Sequence, residues 1–173
     1  MRNNSKELFD VTITDTNENF ETWINRKYVS DNTKNQLRDA DILIVPNEGF
    51  RDSSFPVFPA HTEKIYSFLK KELPPELRVD ICIEDDDYKE LSLHANLIIL
   101  GVFVVTAIAV PTLVNLLSEY LKRKIFGNKD EQKVKVSLTV VDDAGHSQNF
   151  TYEGSSSNLG TIIDKLKETK KLK

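Results

Sequence analysis

Between Ala95 and Ser118 the chain runs 24 residues without a charged side chain, ANLIILGVFVVTAIAVPTLVNLLS. A helix rises about 1.5 Å per residue, so a run of this length reaches across the roughly 30 Å hydrocarbon core of a bilayer. It equally suits a helix buried on nearly every side. Read with its flanks, the segment is expected to be one long apolar helix over 92–126. Lys122, Arg123 and Lys124 follow it, the placement of a cytoplasmic basic anchor for a single span at 95–118. Against a span stand His94, Asn96, Pro111 and Asn115, each costly against lipid unless a neighbour satisfies it. The strand-like segments on either side also need each other to complete a sheet. The balance favours a helix shielded by protein, lying across that sheet or packed on its own copy, with Leu97, Leu100, Val104, Val105, Ile108, Leu113 and Leu116 as the contact residues.

The segments around the run alternate between the two periodicities. ADILIV at 40–45, closed by Pro46, has the continuous apolar form of a central strand. Ile65, Phe68, Leu69 and Leu73 make one stripe of a helix over TEKIYSFLKKEL, with Thr62 as its cap and Pro74–Pro75 as its stop. RVDICIE at 78–84 and KVKVSLTVVD at 133–142 alternate as strands, and Ala144–Gly145 turns the latter into a hairpin with HSQNFTYEG. Asn158 caps a last amphipathic helix, LGTIIDKLKE. The expected fold is α+β, a mixed β-sheet with β-α-β-α-β-β-α order over 40–173, preceded by an arm of strand plus helix at 1–39.

Charge narrows the function. The net charge is −4, and residues 1–94 hold 12 basic against 19 acidic side chains while residues 119–173 hold 11 against 8. No global basic field is present to draw nucleic acid, so none is expected as a partner. A lone cysteine, Cys82, excludes an intrachain disulfide and fits a reducing compartment; the polar start MRNNSKELFDV lacks the apolar core of a secretory signal. The expected location is cytoplasmic, with a single-pass inner-membrane protein as the alternative.

No catalytic constellation is present: the chain lacks a Gly-rich phosphate loop, GxSxG and HExxH. His61, His94, His146 and Cys82 have no metal-ligand spacing, so no metal and no cofactor are expected. Asp85, Asp86 and Asp87 read as a solvated strand end rather than a cation loop, since no glycine stands at the spacing such loops need. Recognition is best sought in the loop from Pro46 to His61, at the carboxyl end of the first central strand, where open sheets place ligands. Glu48 and Arg51 bracket Gly49–Phe50 there, and Phe50, Phe55 and Phe58 offer apolar anchors for a partner protein. Read structurally instead, the aromatics fold back over the sheet and Glu48 pairs with Arg51.

The order of elements, with VNLLSEYLKRK followed by VKVSLTVVDDAGHSQNFTYEG and NLGTIIDKLKE, resembles the effector-associated constant component proteins of bacterial conflict systems. The likeness spans roughly Asp41 to Glu168 as a pattern of elements, and this chain departs from it by the amino-terminal arm and the longer 46–61 loop. The resemblance implies a small non-enzymatic accessory or adaptor protein in anti-phage defence. It would bind a partner effector and self-associate through the apolar helix. The alternative is a membrane-associated effector using the same helix.

Overall fold

The apolar run divides into two elements. In the computed structural model, which describes residues 9–49, 55–91, 97–126 and 132–171, Leu97–Thr106 is a β-strand and Val110–Tyr120 a helix. The single helix expected over 92–126 is therefore corrected. Ile98, Ile99, Val102, Val104, Val105 and Thr106 are β-branched and lose side-chain freedom in a helix. Gly101 takes φ +120°, where the strand register shifts between Ile99 and Gly101, a bulge that L side chains resist. Pro111 sits in the first turn of the following helix, where its missing N–H leaves no bond unmade. Continued backward as helix, its ring would collide with the carbonyl of residue 107. Eleven residues of helix rise only about 16 Å, half a bilayer core. Among the described residues no helix is long and apolar enough to cross a membrane, which corrects the single-span alternative at 95–118.

The elements in chain order are β1 (Phe9–Thr16), α1 (Phe20–Ile24), α2 (Asp31–Leu37), β2 (Ile42–Val45), β3 (Phe58–Pro59), α3 (Thr62–Glu72), β4 (Val79–Ile81), β5 (Glu90–Leu91), β6 (Leu97–Thr106), α4 (Val110–Tyr120), β7 (Lys133–Val141), β8 (Ser147–Ser155) and α5 (Thr161–Lys171). Six strands form one mixed sheet in the order β1-β8-β7-β6-β2-β4, and β3 with β5 makes a separate two-residue pair. The fold is α+β. From β2 onward β6 stands as an extra central strand, parallel to β7 and antiparallel to β2, where the expected order had only helix. The amino-terminal residues share the sheet, since β1 pairs with β8 through eight positions from Phe9↔Gly154 to Thr16↔Ser147.

Two cores flank the sheet. On one face Ile42, Ile44, Phe103, Val105, Val136, Leu138, Phe150 and Tyr152 meet α3, α4 and α5 through Ile65, Leu69, Leu113, Leu117 and Ile162. On the other, Leu43, Val45, Cys82 and Val104 are covered by Trp23, Ile24, Val29 and Leu37 of the α1–α2 segment. The central strands β2 and β6 are thus buried on both sides, which makes them read as unbroken apolar runs. Among the described residues the second face is covered only at the β2–β4 end. Over β7 and β8 it carries a polar ladder in which Asn149 bonds Ser137 and Thr139, and Thr151 bonds Asn149.

Candidate functional site

The loop after β2 begins by being tied down. Asn19 caps α1 reciprocally with Thr22, and this short helix presents Arg26 to two carboxylates. The guanidinium lies 3.0 Å from Glu18 and 3.2 Å from Glu48, while its plane rests over the Trp23 ring at 4.1 Å. Tyr28 donates its hydroxyl to Glu48 at 2.9 Å. Burial, and then that bond, push the Tyr28 hydroxyl far above its ordinary value, so it remains a donor. Burial raises Glu18, but the Arg26 and Thr22 bonds and the Arg26 charge outweigh it and hold the carboxyl below its usual range. Glu48 is thus spent on holding the loop to α1, through a residue 22 positions upstream that the sequence did not nominate.

The remaining members of the expected recognition set separate. Phe50 and Arg51 lie outside the described residues. Phe58 is buried and stacks on Tyr88 at 5.0 Å, so it is a core residue and is corrected as a contact anchor. Phe55 is 59% exposed, with the Lys89 ammonium 4.4 Å from its ring centre. Of the residues expected on a self-association helix, Leu100, Val104 and Val105 are buried within the sheet and Leu113 beneath α4. Leu97 and Leu116 are half-buried, and Ile108, in the 3₁₀ turn Ala107–Ala109, is 81% exposed. That shared helical face is therefore corrected: these side chains fill the chain's own core or stand apart from one another.

Asp80 and Cys82 leave β4 toward different surroundings. Cys82 is fully buried, its thiol donating to the Trp23 carbonyl at 3.5 Å, and burial pushes it up to about 12. Asp80 accepts the Ile81 N–H at 3.0 Å, and burial holds its carboxyl above the usual range. Glu84 takes the Ser30 N–H at 2.6 Å and the Thr33 hydroxyl at 2.7 Å, which lowers it and anchors the start of α2. Among the described residues no group of three or more His, Cys, Asp and Glu side chains could hold a metal ion.

Three surfaces remain that a partner could use. The first is the outer edge of β1. Eight residues pair with β8 without a break, and among the described residues no strand lies on the other side. The opposite edge is guarded: β4 is three residues long, its Ile81 N–H is taken by the Asp80 carboxylate, and its Ile81 carbonyl accepts Ile83 N–H at 3.0 Å. The other two flank α3. On one side a groove of about 750 Å³ has the buried rings of Phe68 and Tyr120 at its floor, and Lys64, Lys71, Arg123 and Lys124 share its rim with Glu63 and Glu72. On the other side a cleft of about 620 Å³ is lined by Glu63, Asp80, Glu84, Asp85 and Asp86, with no cationic side chain. The acidic run and the Lys122–Arg123–Lys124 cluster are both visible in the sequence, but only the fold brings them to the two flanks of one helix.

Comparison with protein families, curated proteins and solved structures finds no match for this chain.

Proposed function

We propose that this protein is a non-enzymatic adaptor of a bacterial defence system, which captures an extended segment of a partner effector by adding it as a strand to the outer edge of β1. One observation carries the reading: β1 presents eight consecutive residues without proline, glycine, lysine or bulge on its free side. Natural sheets blunt such edges when they are not used, as this sheet does at β4. Strand addition draws affinity from the main chain and specificity from alternate side chains. Val11 and Ile13 face the core, whereas Thr12 and Thr14 are exposed. Asp15, exposed near one end, favours an incoming strand with a basic flank there. The shifted carboxylates and tyrosines described above are accounted for by structural ties, which supports a binding role over a catalytic one. The resemblance in element order supplies the defence setting, and the buried, unpaired Cys82 is in keeping with a cytoplasmic one.

The test is co-expression with the proteins encoded beside this chain, followed by amide hydrogen exchange of the complex. The β1 amides are expected to gain protection. The exposed-site double variant Thr12→Lys/Thr14→Lys is expected to weaken the complex at least about tenfold while leaving the melting temperature of the free protein nearly unchanged. Binding that ignores this variant, or no complex with any neighbour-encoded protein, overturns the proposal.

A further inference from the structure

We infer that the outer edge of β1 also pairs with itself, joining two copies of the chain into one continuous sheet through an antiparallel β1–β1 contact. The hydrogen bonds at the two ends of the β7–β8 ladder fix which main-chain groups are free for this. Asp142 N–H donates to the His146 carbonyl at 2.9 Å, and Ser156 N–H to the Gln132 carbonyl at 3.0 Å. In the unbroken register between them, even-numbered residues of β8 direct N–H and C=O to β7 and odd-numbered ones direct them to β1. Through the β1–β8 register, Thr12 and Thr14 therefore exchange bonds with Thr151 and Asn149. The N–H and C=O groups of Phe9, Val11, Ile13 and Asp15 point the other way, and among the described residues no strand meets them.

That row is complementary to a copy of itself. A two-fold axis perpendicular to the sheet at Thr12 sets Val11 opposite Ile13 of the second copy, and position 9 opposite Asp15 of the second copy. Every outward residue of both copies then has a hydrogen-bonded partner, and each such pair exchanges two bonds. Moving the axis to Val11 or to Ile13 leaves one outward residue of each copy unpaired, so the register is specified. The same two-fold keeps the helix layers of both copies on one side of the joined sheet. Val11 and Ile13, half-buried against the helix-side core, cover one another across the seam, while the exposed Thr12 meets its own copy on the other face. Asp15 accepts the Gln148 amide of β8 at 3.3 Å and lies opposite position 9, away from a second Asp15. One strand per copy is at the small end of specific contacts, so association in the micromolar range is expected. The dimer withholds from an effector strand the edge it would use, a consequence that rests on the strand-capture reading.

Residue-resolved amide exchange of the free, full chain at about 5 and about 500 µM reads the pairing without any substitution. The Val11 and Ile13 amides are expected to slow at least about threefold at the higher concentration, while those of Thr12 and Thr14, already bonded to β8, stay unchanged. Thr12→Cys is expected to give a disulfide-linked dimer under mild oxidation, since Cα atoms paired at the axis stand about 4.5 Å apart, within disulfide reach. Thr14→Cys is expected not to, because its two copies lie about 14 Å apart in this register. Cys82 is fully buried and supplies no competing thiol. Ile13→Pro removes an N–H that the chain's own ladder does not use, and should raise the dissociation constant by sedimentation at least about tenfold with unchanged circular dichroism. Concentration-independent exchange with a monomer at about 500 µM overturns self-pairing and leaves strand capture intact. Cross-linking at position 14 as readily as at position 12, or concentration-dependent protection of Thr12 equal to that of Val11, also overturns it. A dimer with the Thr12 cross-link, beside no complex with any neighbour-encoded protein, supports self-pairing and overturns capture alone.

Discussion

Replacing Leu113 and, separately, Ile108 by alanine tests how the apolar run is used. The two side chains lie five residues apart in one uncharged segment, and a helix facing lipid or a second copy would treat both as contact residues. The fold treats them oppositely. Leu113 is fully buried against the sheet between Val110, Val114 and Leu117, whereas Ile108 stands in a turn with 81% of its surface exposed. Truncating a buried leucine forfeits its transfer energy and leaves a cavity, together about 2.7–5 kcal/mol. In a chain of this size 1 kcal/mol moves the melting temperature by roughly 2–4 °C, so Leu113→Ala is expected to melt about 5–20 °C lower. Ile108→Ala should change stability by no more than about 0.5 kcal/mol. Urea unfolding of the isolated protein reads both, and the slopes should be unchanged while the midpoints separate. Equal small losses, or the larger loss at Ile108, would refute the assignment of this segment to the protein's own core.

Three further outcomes follow from the local chemistry. Gly101→Ala is expected to cost about 1–3 kcal/mol, measured by urea unfolding, because φ +120° is strained for any L side chain even though its Cβ would meet nothing closer than 3.7 Å. Asp80→Asn retains an acceptor for Ile81 N–H and removes a half-buried charge. Because the folded Asp80 carboxyl lies above its unfolded value, its charge opposes folding at neutral pH and that penalty disappears as protonation sets in on acidification; the variant should therefore melt higher at pH 7, by a margin that shrinks as pH falls through the raised value. Cys82, buried with its thiol pushed up to about 12, should react with a thiol reagent at least about a hundredfold more slowly in the native protein than in urea, and comparable rates would contradict its burial.

The elements with one wet face were legible in the chain. Val134, Val136, Leu138 and Val140 alternate with Lys133, Lys135, Ser137 and Thr139, and a sheet covered on one side there keeps that alternation. The helix stripe Ile65, Phe68 and Leu69 likewise survives into α3, although His61, in a left-handed conformation at φ 77°, takes the cap position expected of Thr62, whose hydroxyl instead bonds the Pro59 carbonyl. β6 was hidden because both its faces are buried, which erases the period that separates strand from helix. Its β-branched content and the interior glycine at 101 were the available signals, and Pro111 marked where the helix starts rather than a defect within it. The site was less legible for a different reason. Glu48 finds Arg26, 22 positions upstream, and the α3 groove draws on residues more than 50 positions apart, contacts that proximity along the chain does not nominate.

Nuclear magnetic resonance of the labelled chain addresses the division of the apolar run most directly. Extended carbon shifts are expected from Leu97 to Thr106, with cross-strand contacts from Val104 to Leu43 on one side and to Thr139 on the other, before helical shifts begin at Val110. Unbroken helical shifts from Leu97 through Leu117, without those two contacts, would contradict the account.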